Sequence, residues 1–170
     1  MMQIQKLFLL SLVLFTFLSG QNAPLSPTVY ATVNHNSILV SWDALAETSI
    51  DSLTGYADFE GYRIYRSQDG GETWGSVSDK LYDFDGHFVG YLPYAQFDLD
   101  GEHDAAHCIY TADACESNDP KREVSIYGLD PLNPRFSLGI DAGISYAFID
   151  SNVVDGIEYT YTVTAYDMGQ

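Results

Sequence analysis

Two short acidic motifs are the strongest candidates for metal chemistry in this sequence. Both read Asp-x-Asp-Gly, with Asp83 and Asp85 in the first and Asp98 and Asp100 in the second. Calcium takes six to eight oxygen ligands, which paired carboxylates on loops can supply. The EF-hand spacing is not met, because the position that needs glycine, counted from Asp98, is His103. The motifs therefore predict either a calcium site or a solvated acidic surface.

The two cysteines, Cys108 and Cys115, stand seven positions apart in one segment. In an exported chain the default expectation is a local disulfide, because secreted thiols tend to oxidise. Closing so small a loop stabilises a fold by on the order of 2–3 kcal/mol in the chain-entropy model. Free thiols are one alternative. Zinc bound with the help of His103 and His107 is another, although the spacing matches no standard structural zinc site.

Residues 67–74 read Ser-Gln-Asp-Gly-Gly-Glu-Thr-Trp and predict a tight hairpin turn. The segment resembles the Asp-box of sialidases and other β-propellers, with Ser67, Asp69, Gly71, Thr73 and Trp74 at the motif positions. In such a turn the carboxylate accepts backbone N–H groups, a glycine takes a positive φ and the indole packs beneath. The chain has no internal repeat and is too short for a propeller. The motif therefore indicates a structural turn rather than a sialidase site.

No arrangement of residues in the sequence favours nucleophilic catalysis. The chain has four histidines but no Gly-x-Ser-x-Gly motif, and nothing singles out a carboxylate pair for glycoside cleavage among its 24 acidic residues. We therefore expect a non-catalytic protein. Four aromatic residues could form a sugar-stacking or protein-binding surface, or could pack as a local core: Tyr91, Tyr94, Phe97 and Tyr110.

The charge balance excludes several classes of partner. Seven basic residues stand against 24 acidic ones among 170, for a formal net charge of −17. Such a chain repels the phosphates of nucleic acids and the headgroups of anionic membranes. It is not a disordered acidic tail, because 14% of its residues are aromatic. The length suits about one domain.

Residues 1–20 have the three-part layout of a secretory signal peptide. A short start with Lys6 precedes an apolar run from Leu7 to Leu18, and Ser19 and Gly20 are small residues suited to cleavage. Twelve residues are too few to span a membrane, which needs about 20. The mature chain, residues 21–170, is therefore expected to be secreted or bound at the cell surface of a bacterium, without a membrane span.

Alternation with period 2 predicts strands at both ends of the mature chain, and therefore an all-β sandwich. The predicted strands are residues 28–33, 37–43, 59–67, 144–150 and 157–166. Alternation places the following side chains on one face of their strands: Val29, Ala31 and Val33; Ile38, Val40 and Trp42; Tyr62 and Ile64; Tyr146 and Phe148; Tyr159, Tyr161, Val163 and Ala165.

Three of these segments, residues 38–43, 61–67 and 156–165, resemble strands B, C and F of a fibronectin type III domain. Trp42 matches the core tryptophan of strand B, and Tyr159 and Val163 match the Tyr-x-x-x-Val-x-Ala of strand F. The similarity is to the variant found in exported bacterial proteins. It implies an immunoglobulin-like sandwich with Trp42, Tyr62, Tyr159 and Val163 in its core. It also implies a bond from the Tyr159 hydroxyl to the preceding loop.

The chain departs from that family in two ways. Residues 75–143 exceed the usual connection between strands C and E, and predict a long, irregular, acidic insertion. Strand G is missing after strand F, which implies a truncated chain or a strand supplied by a partner.

The resemblance and the signal peptide together imply a non-catalytic extracellular or cell-surface module. Such a module would be a spacer, adhesion or protein-interaction unit of a larger exported protein. Its partners would be other domains of that protein, or a surface protein or glycan. The alternative is a carbohydrate-binding or accessory module of a secreted hydrolase.

Overall fold

Strands dominate the computed structural model, which describes residues 23–49, 59–101, 128–130 and 134–167. In chain order the strands of these ranges are β1 Val29–Asn34, β2 Ser37–Trp42, β3 Phe59–Ser67, β4 Lys80–Tyr82, β5 Phe88–Tyr91, β6 Ala95–Asp98, β7 Gly128–Leu129, β8 Ser137–Gly139, β9 Ala147–Asp150 and β10 Thr160–Asp167. Two short 3-10 helices, Leu45–Thr48 and Val77–Asp79, follow β2 and precede β4. The prediction of an all-β protein is therefore confirmed.

Two three-stranded antiparallel sheets form the body of the molecule, in the orders β1-β2-β9 and β10-β3-β6. The two alternating segments at the start of the mature chain form an antiparallel hairpin, in which Val29 lies opposite Trp42. Strand β10 lies along the whole of β3, with Val163 opposite Ile64. Residues far apart in the chain are thus brought side by side, since the β3–β10 pair joins positions about a hundred residues apart.

One hydrophobic core holds the two sheets together. Val40, Tyr62 and Ile64 are fully buried, Val163 is nearly so, and Trp42 is 5% exposed. The Trp42 ring meets the Tyr62 ring edge-on at a centroid distance of 5.7 Å, a favourable geometry for aromatic pairs. The other buried or partly buried apolar members are Val29, Ile38, Ala46, Phe59, Ala95, Phe97, Leu99, Ile144, Phe148, Val153, Tyr159, Tyr161 and Ala165. The alternation of β2, β3 and β10 is therefore explained by burial of one face of each strand.

The opposite face of the β10-β3-β6 sheet is covered as well. Arg63 points to that face and is only 6% exposed. Its guanidinium lies 3.7 Å from the centre of the Tyr166 ring and donates to the Ser137 carbonyl oxygen at 2.7 Å. Burial lowers the pKa of Arg63 from its ordinary value, although the nearby tyrosines and acids oppose that shift. The residues around β8 thus form a cover on the outside of the sheet.

Asp98 attaches this cover at the end of β6. Its side chain is buried, and its two carboxylate oxygens accept the backbone N–H groups of Asp141 and Ala142 at 2.6 and 3.1 Å. Gly139 lies against the same carboxylate with a φ of 134°. A Cβ atom there would come within 2.1 Å of the Asp98 carboxyl group, so glycine is required at this position.

The prediction of an irregular insertion between residues 75 and 143 is wrong for its described parts. Strands β4 and β5 form a hairpin there, β7 and β8 form a second one, and β6 joins β3 in the main sheet. Strands of two to four residues are too short for alternation to be recognised in the sequence. Pairing with the long β3 strand stabilises β6 although its own pattern is weak.

Two of the strand faces predicted from alternation lie only partly in the core. Val33 is 77% exposed and Ala31 is exposed, because the β1 strand extends beyond the core and only Val29 packs against it. Tyr146 is 45% exposed and precedes β9, although its ring lies 6.4 Å from that of Tyr62. Edge strands need only part of one face for the core, so their alternation overstates burial.

Within the described residues, no helix has the length and apolar character needed to cross a lipid bilayer. The predicted signal peptide, residues 1–20, lies outside these residues.

The Tyr159 hydroxyl gives a first testable prediction. It accepts the backbone N–H of Val154 at 3.1 Å and so ties the start of β10 to the loop before it. We expect Tyr159→Phe to lower the free energy of unfolding by about 1 kcal/mol, the usual net value of one hydrogen bond. Urea titration of the mature chain measures this change.

The matched control for this prediction is Tyr30→Phe, since Tyr30 is 62% exposed on β1. It should change the free energy of unfolding by less than about 0.5 kcal/mol. Equal effects of the two substitutions would contradict the structural role of the Tyr159 hydroxyl.

Candidate functional site

An open groove of about 600 Å³ lies beside the end of β3. One wall is the loop of residues 68–76, and the other is formed by Leu92, Pro93 and Tyr94 between β5 and β6. Arg66, Asp79 and the partly buried Trp74 also line it. The groove thus combines aromatic rings with charged groups, so the state of those charges decides what it can bind.

The turn of residues 67–74 forms the first wall and is fixed by its own side chains. The prediction of a hairpin here is wrong, because β3 pairs with β10 and β6 whereas β4 pairs with β5. Asp69 accepts the Ser67 hydroxyl at 2.6 Å, the Thr73 backbone N–H at 2.9 Å and the Thr73 hydroxyl at 2.7 Å. The hydrogen bonds from Ser67 and Thr73 lower the pKa of Asp69 to about 2. Gly71 has a φ of 96° and lies against the Trp74 ring. All five positions of the motif therefore take part in the turn or pack against it.

Asp79, at the end of the second 3-10 helix, is held in a similar way. Its carboxylate accepts the Ser76 backbone N–H at 2.7 Å and the Ser76 hydroxyl at 2.6 Å. These two hydrogen bonds lower the pKa of Asp79. The arrangement is a capping box, which satisfies donors at the start of the helix. These bonds fix the groove wall, and both of them use the same oxygen of the Asp79 carboxylate, Oδ2.

A buried carboxylate below the groove holds Arg66 and Tyr94 in place. Asp150, at the end of β9, is 1% exposed. It accepts the Arg66 guanidinium at 2.9 Å, the Tyr161 hydroxyl at 2.8 Å, the Tyr94 hydroxyl at 3.1 Å and the Asn152 backbone N–H at 2.9 Å. Arg66 also donates to the Asn152 carbonyl oxygen at 2.7 Å. The charge of Arg66 is therefore balanced inside the protein.

The titration of this pair follows from its hydrogen bonds. Burial by itself would raise the pKa of Asp150, but the hydrogen bonds from Tyr161, Asn152 and Arg66 lower it below its ordinary value. Burial would lower the pKa of Arg66, but the hydrogen bond and the negative charge of Asp150 raise it. Both groups are thus charged at neutral pH.

The first predicted calcium motif lies at the tip of the β4–β5 hairpin. Asp83, Asp85 and His87 place one potential metal-ligand atom each within 4.8 Å of one another. Asp83 Oδ1 already accepts the backbone N–H groups of Asp85 and His87 at 2.9 and 2.8 Å. Oxygen ligands suit calcium, whereas a histidine suits transition metals. The geometry is thus that of a hydrogen-bonded turn with few carboxylate oxygens left to coordinate an ion.

The second predicted motif is elsewhere in the fold. Asp98 is buried and bonded to the backbone after β8, as described above, and Asp100 lies partly buried two residues beyond it. The structure does not bring Asp98 into the cluster of Asp83 and Asp85. Calcium binding stays a prediction from the sequence.

The remaining sequence-predicted positions fall into three groups. Cys108, Cys115 and Tyr110 lie outside the described residues. Phe97 packs against the core, whereas Tyr91 stacks edge-on with Phe88 at 5.1 Å in the β4–β5 hairpin. Of the four aromatic residues proposed for a binding surface, Tyr94 alone lines the groove among those that the structure describes.

Sequence reasoning missed Arg66 and Asp150, although a signal was present. Arg66 continues the alternation of Tyr62 and Ile64, so it occupies an inward-facing position of β3. Asp150 stands in the same way two residues after the inward-facing Phe148. A charged residue at an inward-facing position needs a partner of opposite charge. Two inward-facing residues of opposite charge on predicted strands therefore predict the pairing of Arg66 with Asp150.

Comparisons of the chain with models of known protein families, with characterised proteins and with solved structures found no match.

The buried ion pair gives a second prediction. Asp150→Asn removes the negative charge opposite Arg66 and one acceptor, and should lower the free energy of unfolding at pH 7 by about 3 kcal/mol. The control Asp85→Asn changes an exposed acid and should have an effect below about 0.5 kcal/mol. Chemical denaturation of both variants measures the difference.

The pH dependence of this effect has a defined sign. The pKa of Asp150 is lower in the folded protein than its unfolded value near 3.8. Its stabilising effect is therefore complete above that unfolded value and is lost as the pH falls through the folded value. The difference between the wild type and Asp150→Asn should shrink below about pH 4. A difference that is constant from pH 7 to pH 3 would contradict a charged Asp150.

The turn of residues 67–74 gives a third prediction. Asp69→Ala removes the acceptor of the Thr73 backbone N–H. Hydrogen exchange at that amide should accelerate by about tenfold or more, because its protection depends on this bond. Glu72→Ala, an exposed acid in the same turn, is the control and should leave the Thr73 amide protected. Unchanged exchange in Asp69→Ala would remove the role given to this carboxylate.

Proposed function

We propose that the chain forms a non-catalytic extracellular module of the fibronectin type III type, a spacer or interaction unit of a larger exported protein. The pairing of its strands carries the proposal. If β2, β3, β9 and β10 correspond to strands B, C, E and F, then B pairs with E and C pairs with F. This is the pairing of immunoglobulin-like sandwiches.

Two side-chain positions support the same assignment. Trp42 of β2 packs edge-on against Tyr62 of β3 across the two sheets. The Tyr159 hydroxyl is bonded to the backbone five residues upstream, the arrangement called a tyrosine corner in such sandwiches. The burial of Trp42 and the bond of Tyr159 to the preceding loop are what a domain of this type would lead us to expect, and so support the proposal.

The groups that could do chemistry favour a binding or spacer role. In the groove, Asp69 and Asp79 accept hydrogen bonds from their own loops, and Arg66 is paired with the buried Asp150. A general acid or base needs a proton that it can exchange with a substrate, with a pKa near the working pH. The pKa values of Asp69 and Asp79 are lowered instead.

Export is the part of the proposal that is tested most directly. The full chain with a C-terminal tag, expressed in a bacterium, should appear outside the cytoplasm with Gln21 as its first residue, as judged by intact mass. Leu12→Arg puts a charge into the apolar run and should leave the chain uncleaved in the cytoplasm, whereas the control Leu12→Val should behave as the wild type.

Two outcomes would contradict the proposal. Wild-type protein that stays in the cytoplasm with an intact N-terminus would remove the exported module. Steady turnover of a nitrophenyl ester, phosphate or glycoside by the purified mature chain would remove its non-catalytic nature.

A further inference from the structure

We infer that the groove beside the end of β3 is a binding site for a neutral oligosaccharide, with the Trp74 ring as its stacking surface. Trp74 is only partly buried although it is the largest kind of side chain, and it lines the groove together with Tyr94. Tyr94 is 39% exposed and Leu92 is 46% exposed on the opposite wall. Most of the other lining residues are polar, so the groove combines exposed aromatic rings with hydrogen-bonding groups.

The charges around the groove favour a neutral ligand over an anionic one. Each ionisable group that lines the groove already has a partner within the protein: Asp69 has Ser67 and Thr73, Asp79 has Ser76, and Arg66 has Asp150. The donors to Asp69 and Asp79 are uncharged, so both carboxylates keep their negative charges and repel an anionic ligand, whereas the charge of Arg66 is balanced by Asp150. The net charge of −17 further repels anionic glycans.

The polar groups that remain are suited to hydroxyl groups. Gln68 is exposed at the rim, and its side-chain amide can both donate and accept. The Thr73 hydroxyl lies on the same wall and can accept a further hydrogen bond, whereas the Ser76 hydroxyl is already used by Asp79 and Ser78. A sugar ring offers an apolar face for an indole and a rim of hydroxyls for such groups. The volume of about 600 Å³ lies within the usual range of about 300–1,000 Å³ for ligand sites.

The walls are fixed before any ligand arrives. The turn that carries Trp74 is held by the three hydrogen bonds that Asp69 accepts, and Tyr94 is held by Asp150. The Arg66 guanidinium stacks on the Tyr94 ring at 4.2 Å. Binding therefore need not order a loop, which removes one of the main costs of association. This inference does not depend on export or on the strand assignment of the module.

Calorimetric titration of the mature chain tests the site with defined probes. These are the hexasaccharides of β-1,4-glucose, β-1,4-xylose, β-1,4-mannose, α-1,4-glucose and β-1,4-N-acetylglucosamine, and the anionic hexagalacturonate. At least one neutral probe should bind with a Kd below about 1 mM, with an affinity that is the same in low and high salt. Binding of hexagalacturonate alone, or of no probe at all, would overturn the inference.

Four variants separate stacking from other causes. Trp74→Leu keeps an apolar side chain without an aromatic face and should weaken binding by about tenfold or more, whereas Trp74→Tyr should stay within about threefold. Phe84→Ala removes a ring that is 82% exposed outside the groove and should not change the affinity. Gln68→Ala should weaken binding by a few-fold. Equal affinities of Trp74→Leu and the wild type would contradict the site, provided that the melting curves match.

A second readout uses the two tryptophans of the chain. Trp42 is 5% exposed in the core, so a fluorescence change on titration with the bound hexasaccharide should come from Trp74. The change should disappear in Trp74→Tyr, even though that variant still binds. A decamer of proline, which also docks on aromatic grooves, serves as the competing ligand. Binding of this peptide without binding of any saccharide would assign the groove to a proline-rich segment and overturn the inference.

Discussion

The buried carboxylate of Asp150 is the constraint on which the relative position of the two sheets depends. It belongs to β9 in one sheet and accepts donors from β3 and β10 in the other, the Arg66 guanidinium and the Tyr161 hydroxyl. Apolar contacts in the core favour burial but have no preferred direction. A buried carboxylate costs several kcal/mol unless its hydrogen bonds are made. Sliding one sheet over the other would break several of these bonds together, so the polar group selects one packing.

Strand β3 carries two arginines, one on each face, and the burial of each charge is compensated in a different way. Arg66 lies inward and has a carboxylate partner. Arg63 lies on the outer face, where the Tyr166 and Phe136 rings and the Ser137 carbonyl oxygen surround it. An antiparallel sheet can leave one face in water. Here the cover attached by Asp98 turns that face into a second, smaller interior that includes a cation.

Period-2 alternation predicted β2, β3 and β10 because these strands use one whole face for the core. It failed for β4 to β8, where strands of two to four residues are set by their neighbours rather than by their own pattern. The motif spacing predicted a turn at residues 67–74, since its hydrogen bonds join residues at most four positions apart, but the hairpin predicted with it does not form because β4 pairs with β5. The groove could not be predicted in this way. Its two walls are joined through Asp150 and Arg66, which are 84 positions apart.

The two walls of the groove depend on different parts of the structure. Tyr94 and Arg66 are oriented by Asp150, so their positions are tied to the packing of the sheets. Trp74 follows a turn whose hydrogen bonds all lie within residues 67–73. Its position therefore does not depend on the packing of the sheets. Trp74 can therefore be replaced without loss of the fold, whereas Arg66 and Tyr94 cannot be moved without disturbing the packing of the sheets. A loop that varies at little cost in stability, beside residues fixed by the core, is where a β-sheet protein can acquire new binding specificity.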